Sequence, residues 1–198
     1  MKRLTLAASF LGLALAACGG DDADDAASGG NGGTFEGTVA GQSLDVKEAV
    51  FTYVDTEGAA GRTRVLGVVL SSQTGLCARL KTNQQPGNLT TFSLGLFSVT
   101  GAAIAPGTFT SFSFASPVFV QAAFDRTDAQ CESTLESGEG LGESGSVTLE
   151  SFEAKAGGVA RGAFDIKVGE QGDSVKGTFN ATFCDVPVAE EPTDPVCG

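Results

Sequence analysis

The side chains in this chain that could do chemistry are thiols and carboxylates. Its 198 residues include five cysteines and 24 aspartates and glutamates, but no histidine. Without histidine, neither a Ser-His-Asp nor a Cys-His relay can form, and His-ligated zinc or iron is excluded. Carboxylates can act in pairs, one as acid and one as base, when a cleft holds them at a set distance. Asp45, Glu150 and Asp165 are the candidates, yet nearly all acids alternate outward on strands or lie in loops. Ser43-Leu44-Asp45-Val46-Lys47 does not give the SxxK spacing of a Ser-Lys dyad. The glycine-rich turns lack the GxxxxGK pattern of a phosphate loop. In Asp125–Ser146, DRTDAQCESTLESGEGLGESGS, Glu132, Glu136, Glu139 and Glu143 fall at helical spacing, but Gly138, Gly140, Gly142 and Gly145 interrupt them. A weak calcium site there would need a DxDxDG-type pattern, which is missing, so the stretch reads as a solvated acidic loop. The expectation is a non-enzymatic protein with no catalytic residue, no metal and no cofactor.

The thiols say more. Lys2 and Arg3 precede an apolar run from Leu4 to Ala17. That run is too short for a hydrocarbon core, which needs about 20 residues, and has the length of a signal-peptide core. It ends in Leu15-Ala16-Ala17-Cys18, which resembles the lipobox of bacterial lipoproteins at all four positions. The resemblance implies that Cys18 is acylated on its thiol, that cleavage precedes it, and that the new N-terminus is usually acylated too. Two or three acyl chains anchor firmly, since each buried CH₂ contributes about 0.8 kcal/mol. Gly19 stands where an aspartate would retain such a protein in the inner membrane, so the outer membrane is expected, on its periplasmic or cell-surface side. Cys77, Cys131, Cys184 and Cys197 remain. An even number in an exported chain reads as disulfides, with three connectivities open. A local Cys184–Cys197 loop across the proline-rich tail would leave Cys77 with Cys131. The rival joins Cys77 to Cys184. Four thiolates on one zinc are discounted, because no CxxC spacing occurs.

The formal net charge is −12. Removing the leader takes Lys2 and Arg3 from the 12 basic residues, leaving 10 against 24 acids and a charge of −14. Such a chain repels nucleic acid, which is not an expected partner. Residues 1–17 read as a signal peptide, 18–33 as a flexible acidic and glycine-rich tether, 34–186 as one β domain, and 187–198 as a proline-rich tail. The domain alternates with period two. Phe35, Gly37 and Val39 sit on one face of a short opening strand, and Leu44, Val46, Phe51 and Tyr53 build a second, longer strand. Thr63–Ser71 is apolar on both faces and should be central. Thr90–Val99, Thr108–Phe114 paired with Val118–Phe124, and Ser146–Phe152 come next. Val159–Val168 and Val175–Phe183 close it as a hairpin. A tripeptide recurs as Gly33-Thr34-Phe35, Gly107-Thr108-Phe109, Gly162-Ala163-Phe164 and Gly177-Thr178-Phe179, read as strand-entry chemistry. About nine strands with short turns give an all-β domain, an antiparallel sandwich or a calycin-like barrel.

The lipobox, Leu76-Cys77 after a buried strand, Gly145-Ser146-Val147-Thr148-Leu149, and Gly162-Ala163-Phe164-Asp165 answered by Gly177-Thr178-Phe179-Asn180 and Cys184 together resemble small β-rich lipoproteins of unknown function from bacteria such as myxobacteria. The resemblance spans most of residues 34–184. It implies a location and no activity. Two roles fit: an envelope interaction or structural module, with the bilayer and another envelope protein as partners, or a lipocalin-like carrier of a small apolar ligand. The carrier would line its cavity with Phe92, Phe112, Phe124, Phe164 or Phe179.

Overall fold

In the computed structural model, residues 31–58, 61–186 and 196–197 are described. The leader 1–17, Cys18, the acidic part of the tether and residues 187–195 of the tail lie outside them. In chain order the elements are β1 (Gly32–Glu36), β2 (Glu48–Gly58), β3 (Gly61–Ser71), α1 (Leu76–Lys81), β4 (Gln84–Gln85), β5 (Thr90–Ser98), β6 (Gly107–Phe109), β7 (Phe119–Arg126), β8 (Gly142–Phe152), β9 (Val159–Val168), β10 (Asp173–Phe183) and β11 (Val196–Cys197).

Nine strands form one all-β sheet, ordered β6-β8-β9-β10-β2-β3-β5-β7 with β1 on β10, which curls into a half-barrel. Pairing is antiparallel except at β10–β2, where Thr182 and Phe183 run parallel to Val50 and Phe51. β10 gives the rest of that edge to β1, over residues 176–180. The sheet's far end is managed in a similar way. β6 covers β8 at residues 147–149, while β7 reaches the start of β8 through the Phe124 N–H, donated to the Gly140 carbonyl at 2.8 Å. The Val120 N–H is taken by the Ser111 carbonyl at 2.7 Å. Edges covered in this way cannot template pairing with another chain.

Alternation places Leu66, Val68, Leu70, Phe92, Leu94, Leu96, Phe164, Ile166 and Val168 in one interior core. As its two-sided pattern predicts, β3 is central, between β2 and β5. The Gly-x-Phe repeats do more than open strands. Where β9 meets β10, Gly162 faces Phe179 and Gly177 faces Phe164. A Cβ on Gly162 would lie 2.5 Å from the Phe179 ring, and one on Gly177 2.7 Å from the Phe164 ring. Each ring thus occupies the space its partner glycine leaves, a reciprocal lock that a close-packed interior rewards. The repeat in β1 joins it, with Gly33 opposite Phe179 and Phe35 opposite Gly177.

Three expectations are corrected. The opening strand is Gly32–Glu36, paired with the β10 edge from Gly32 onward and ending before Gly37 and Val39. Leu44 and Val46 precede β2 rather than lying in it, although Leu44 is buried. Of the stretch Thr108–Phe114 only Thr108 and Phe109 are strand, and beyond the single Val120–Ser111 hydrogen bond it does not pair with Val118–Phe124; β6 joins β8 and β7 joins β5. In the tail, Val196 and Cys197 run parallel to Gln84 and Gln85.

Candidate binding site

The carboxylate candidates are not brought together. Asp45 is exposed and pairs with Lys47, Glu150 is exposed on β8, and Asp165 is exposed on β9 opposite Lys176. In the acidic loop the carboxylates are engaged in building the loop itself. Asp128 Oδ1 accepts the Gln130 and Glu132 N–H groups at 2.8 and 3.0 Å, and Asp125 accepts the Ser133 hydroxyl at 2.6 Å. Side-chain oxygens satisfying nearby amides are what make such turns. A shallow polar hollow of about 250 Å³ holds Glu136, Glu139, Glu170 and Asp173. Two of these accept backbone N–H groups, Glu139 from Glu136 and Asp173 from Ala40. Among the described residues no three Asp, Glu, Cys or His side chains gather as metal ligands would.

The four cysteines form Cys77–Cys184 and Cys131–Cys197. The local Cys184–Cys197 pairing is thereby corrected. Cys184 follows β10, where its N–H is donated to the Phe51 carbonyl at 2.7 Å; that bond turns it, buried, toward α1. Cys77 waits there, in a small outer cluster with Val50, Val69, Leu76, Leu80 and Val186. This helix was not anticipated, since one turn and a half leaves no sustained period.

The rings expected to line a cavity fill one another's space instead. Phe92 and Phe164 lie 4.8 Å apart, and Phe35 sits 5.3, 5.7 and 6.1 Å from Phe92, Phe124 and Phe164. Phe92, Phe124, Phe164 and Phe179 are all buried in the core. Phe112 lines a hollow, and that hollow lies on the other side of the sheet.

There, on the outer face of β2-β3-β5-β7, a trough of about 500 Å³ opens. Strand register explains it as three rows. One row runs Val50, Val69, Ser93, Ala123 and on to Leu141. The middle row is Thr52, Gly67, Gly95 and Gln121, and the third is Val54, Val65, Phe97 and Phe119. Two adjacent glycines lower the middle row between taller neighbours. They do different things. A Cβ on Gly95 would fall 2.2 Å from the Phe97 ring, which leans over it and stacks on Phe119 at 5.4 Å. A Cβ on Gly67 would meet only the Thr52 hydroxyl, at 3.2 Å, so the floor there stays open. Leu80 and Val186 border one side of the hollow, and Leu141 and Phe112 another. No Asp, Glu, Lys or Arg lines it among the described residues.

Charge is concentrated beyond it, near the β2–β3 turn. Arg62 donates two hydrogen bonds to Asp55, at 2.6 and 2.8 Å, and Arg64 adds one at 3.1 Å while also donating to the Gly101 carbonyl. The Arg62 hydrogen bonds, helped by Arg64 and opposed by partial burial, lower the Asp55 carboxyl to about 2. These charges are spent on each other and hold the hairpin. The sequence held one signal for the trough, the in-register Gly67 and Gly95, but register is not visible before pairing is known.

The chain matches no protein family, no characterised protein and no solved structure in the comparisons made.

Proposed function

We propose that this protein is a non-enzymatic lipoprotein of the bacterial outer membrane, anchored through acylated Cys18, whose working surface is the outer trough. The lipobox, the tether behind it and the resemblance to β-rich lipoproteins support the anchor. The observation that carries the binding role is the trough itself. An apolar hollow walled by side chains and free of ionisable groups is suited to binding, not to proton transfer. As an interaction module, the domain would engage another envelope component there. Photo-crosslinkers at Gln121, in the trough, and at Lys167, exposed on β9, test this in cells. Crosslinked adducts at Gln121 and none at Lys167 are expected. Equal adducts at both positions, or reproducible turnover by the purified chain, would overturn the reading. A Cys18→Ser chain should leave the membrane fraction.

A second reading, the carrier of a small apolar ligand, is favoured by size. The trough falls within the roughly 300–1,000 Å³ of small-molecule sites. Its seat would be the outer trough, because the interior rings pack against each other.

A further inference from the structure

We infer that the trough accepts an uncharged, elongated aliphatic molecule, an alkyl chain with at most a hydroxyl-type head group. This rests on the carrier reading above and narrows it. Three observations converge on that chemistry.

The first is Gly67. A glycine inside a strand destabilises it by roughly 0.5–1 kcal/mol relative to alanine, so packing normally explains its presence. Packing does so for Gly95, Gly162 and Gly177, each of which leaves room for a ring. At Gly67 neither a ring nor a backbone atom occupies the space. A strand glycine not required by its own protein marks a place where something else comes close.

The second is shape. The middle row crosses four strands, three inter-strand spacings of about 4.8 Å or roughly 14 Å, and the Phe97 ring leaning over Gly95 covers part of it, so the open floor lies at Gly67 beside that ring. The rows of Val69 and Val65 flank it. An apolar notch between two raised rows and a ring suits an alkyl segment better than a flat protein surface.

The third is charge. With no Lys or Arg in the lining, a carboxylate or phosphate head would be desolvated with no counter-ion. With no Asp or Glu there, an ammonium fares no better. The formal net charge of −12 adds long-range repulsion against anions and against a second copy of this chain. Thr52 and Gln121 close the two ends of the middle row and can meet a hydroxyl.

The test uses the full chain carrying Cys18→Ser, so that neither acyl groups nor detergent compete for the site and the outcome does not depend on the anchor. N-phenyl-1-naphthylamine, a neutral apolar fluorophore, reports occupancy. Dodecanol, dodecanoate and dodecylammonium compete with it at pH 7.5. Dodecanol should displace the fluorophore, and the two ions should be at least about tenfold weaker. Gly67→Leu should abolish the signal in a chain that still melts cooperatively, since a Cβ there has only the Thr52 hydroxyl within 4 Å. Should that variant fail to fold, Ser93→Val fills the neighbouring position and must have the same effect. Equal displacement by all three competitors, or full binding to a folded Gly67→Leu chain, overturns the inference while leaving a carrier. Failure of the fluorophore and every competitor to bind overturns the carrier reading as well. A dimer that Gly67→Leu converts to monomer would make the trough a self-interface and sink both.

Discussion

Gly67 and Gly95 face each other across β3 and β5, share one row and one face, and should respond to alanine with opposite signs. At Gly67 the new methyl meets only the Thr52 hydroxyl at 3.2 Å, which rotation relieves. The gain from removing a strand glycine then dominates, about 0.5 kcal/mol of added stability. At Gly95 the methyl would sit 2.2 Å from the Phe97 ring, so the ring must leave. It forfeits its stack on Phe119, 5.4 Å away and only 17° from parallel, which is worth about 0.5–1.5 kcal/mol. It also re-exposes part of a half-buried Phe, roughly another 1 kcal/mol. Setting the glycine gain against these leaves a net loss of about 1 kcal/mol. Urea unfolding with disulfides intact, followed by far-UV circular dichroism because the chain has no Trp and one Tyr, reads the sign through the midpoint at constant slope. A Phe97→Ala background supplies the decisive arm: with the ring gone, Gly95→Ala should become as harmless as Gly67→Ala. If Gly95→Ala is stabilising in the wild-type chain, or keeps its full penalty without Phe97, the ring-over-glycine account of the trough is wrong.

Three further outcomes follow from other parts of the sheet. Phe35→Ala should cost about 3 kcal/mol and expose the amides of residues 176–180 to hydrogen exchange, because the ring joins β1 to Phe92, Phe124 and Phe164. Removing Cys77–Cys184, with a sequence separation of 107, should destabilise more than removing Cys131–Cys197, with 66; chain entropy sets ceilings of about 4.8 and 4.3 kcal/mol, and thermal melts of the double alanine variants compare them. The Asp55 contribution to stability is present above the ordinary carboxylate range and is lost as pH falls through about 2, so the gap between wild type and Asp55→Asn should close between about pH 4 and pH 2 in acid unfolding. An Asp55 carboxyl that titrates near 4 by NMR would remove the basis for that claim.

Much of the fold was legible because period-two alternation is a local signal. Val159–Val168 and Val175–Phe183 match β9 and come within two residues of β10, and the two-sided apolar run of 63–71 found its place at the centre of the sheet. What failed was decided by distant partners. Phe112 and Phe114 alternate well enough for a strand, yet only residues 107–109 have an edge of β8 to pair with. The helix at Leu76–Lys81 is too short to show a period, and it is held from outside: the Leu76 N–H is donated to Glu48, and Cys77 is tied to Cys184. The phenylalanines suggested a lined cavity because composition cannot distinguish rings that surround a void from rings that fill each other's gaps. The Gly-x-Phe repeat carried that information, and it became readable only once register set Gly162 against Phe179.

Neither disulfide staples the main core. Cys77 and Cys184 belong to the small cluster on the outer face, and Cys131–Cys197 ties the β4–β11 ribbon to the acidic loop. The interior, with its interlocked rings, would keep its packing without them. What Cys77–Cys184 fixes is α1 and the chain leaving β10, and from these come Leu80 and Val186 at the side of the trough. A helix of six residues is marginal in water, since nucleation costs more than one turn returns. The covalent tie, together with the Leu76 N–H on Glu48, fixes where Leu80 sits. The Cys77–Cys184 bond therefore does more for this chain than stabilise it. It holds a wall beside an apolar surface that the sheet alone would leave unwalled, and it ties that cysteine pair to a hollow whose described lining carries no charge.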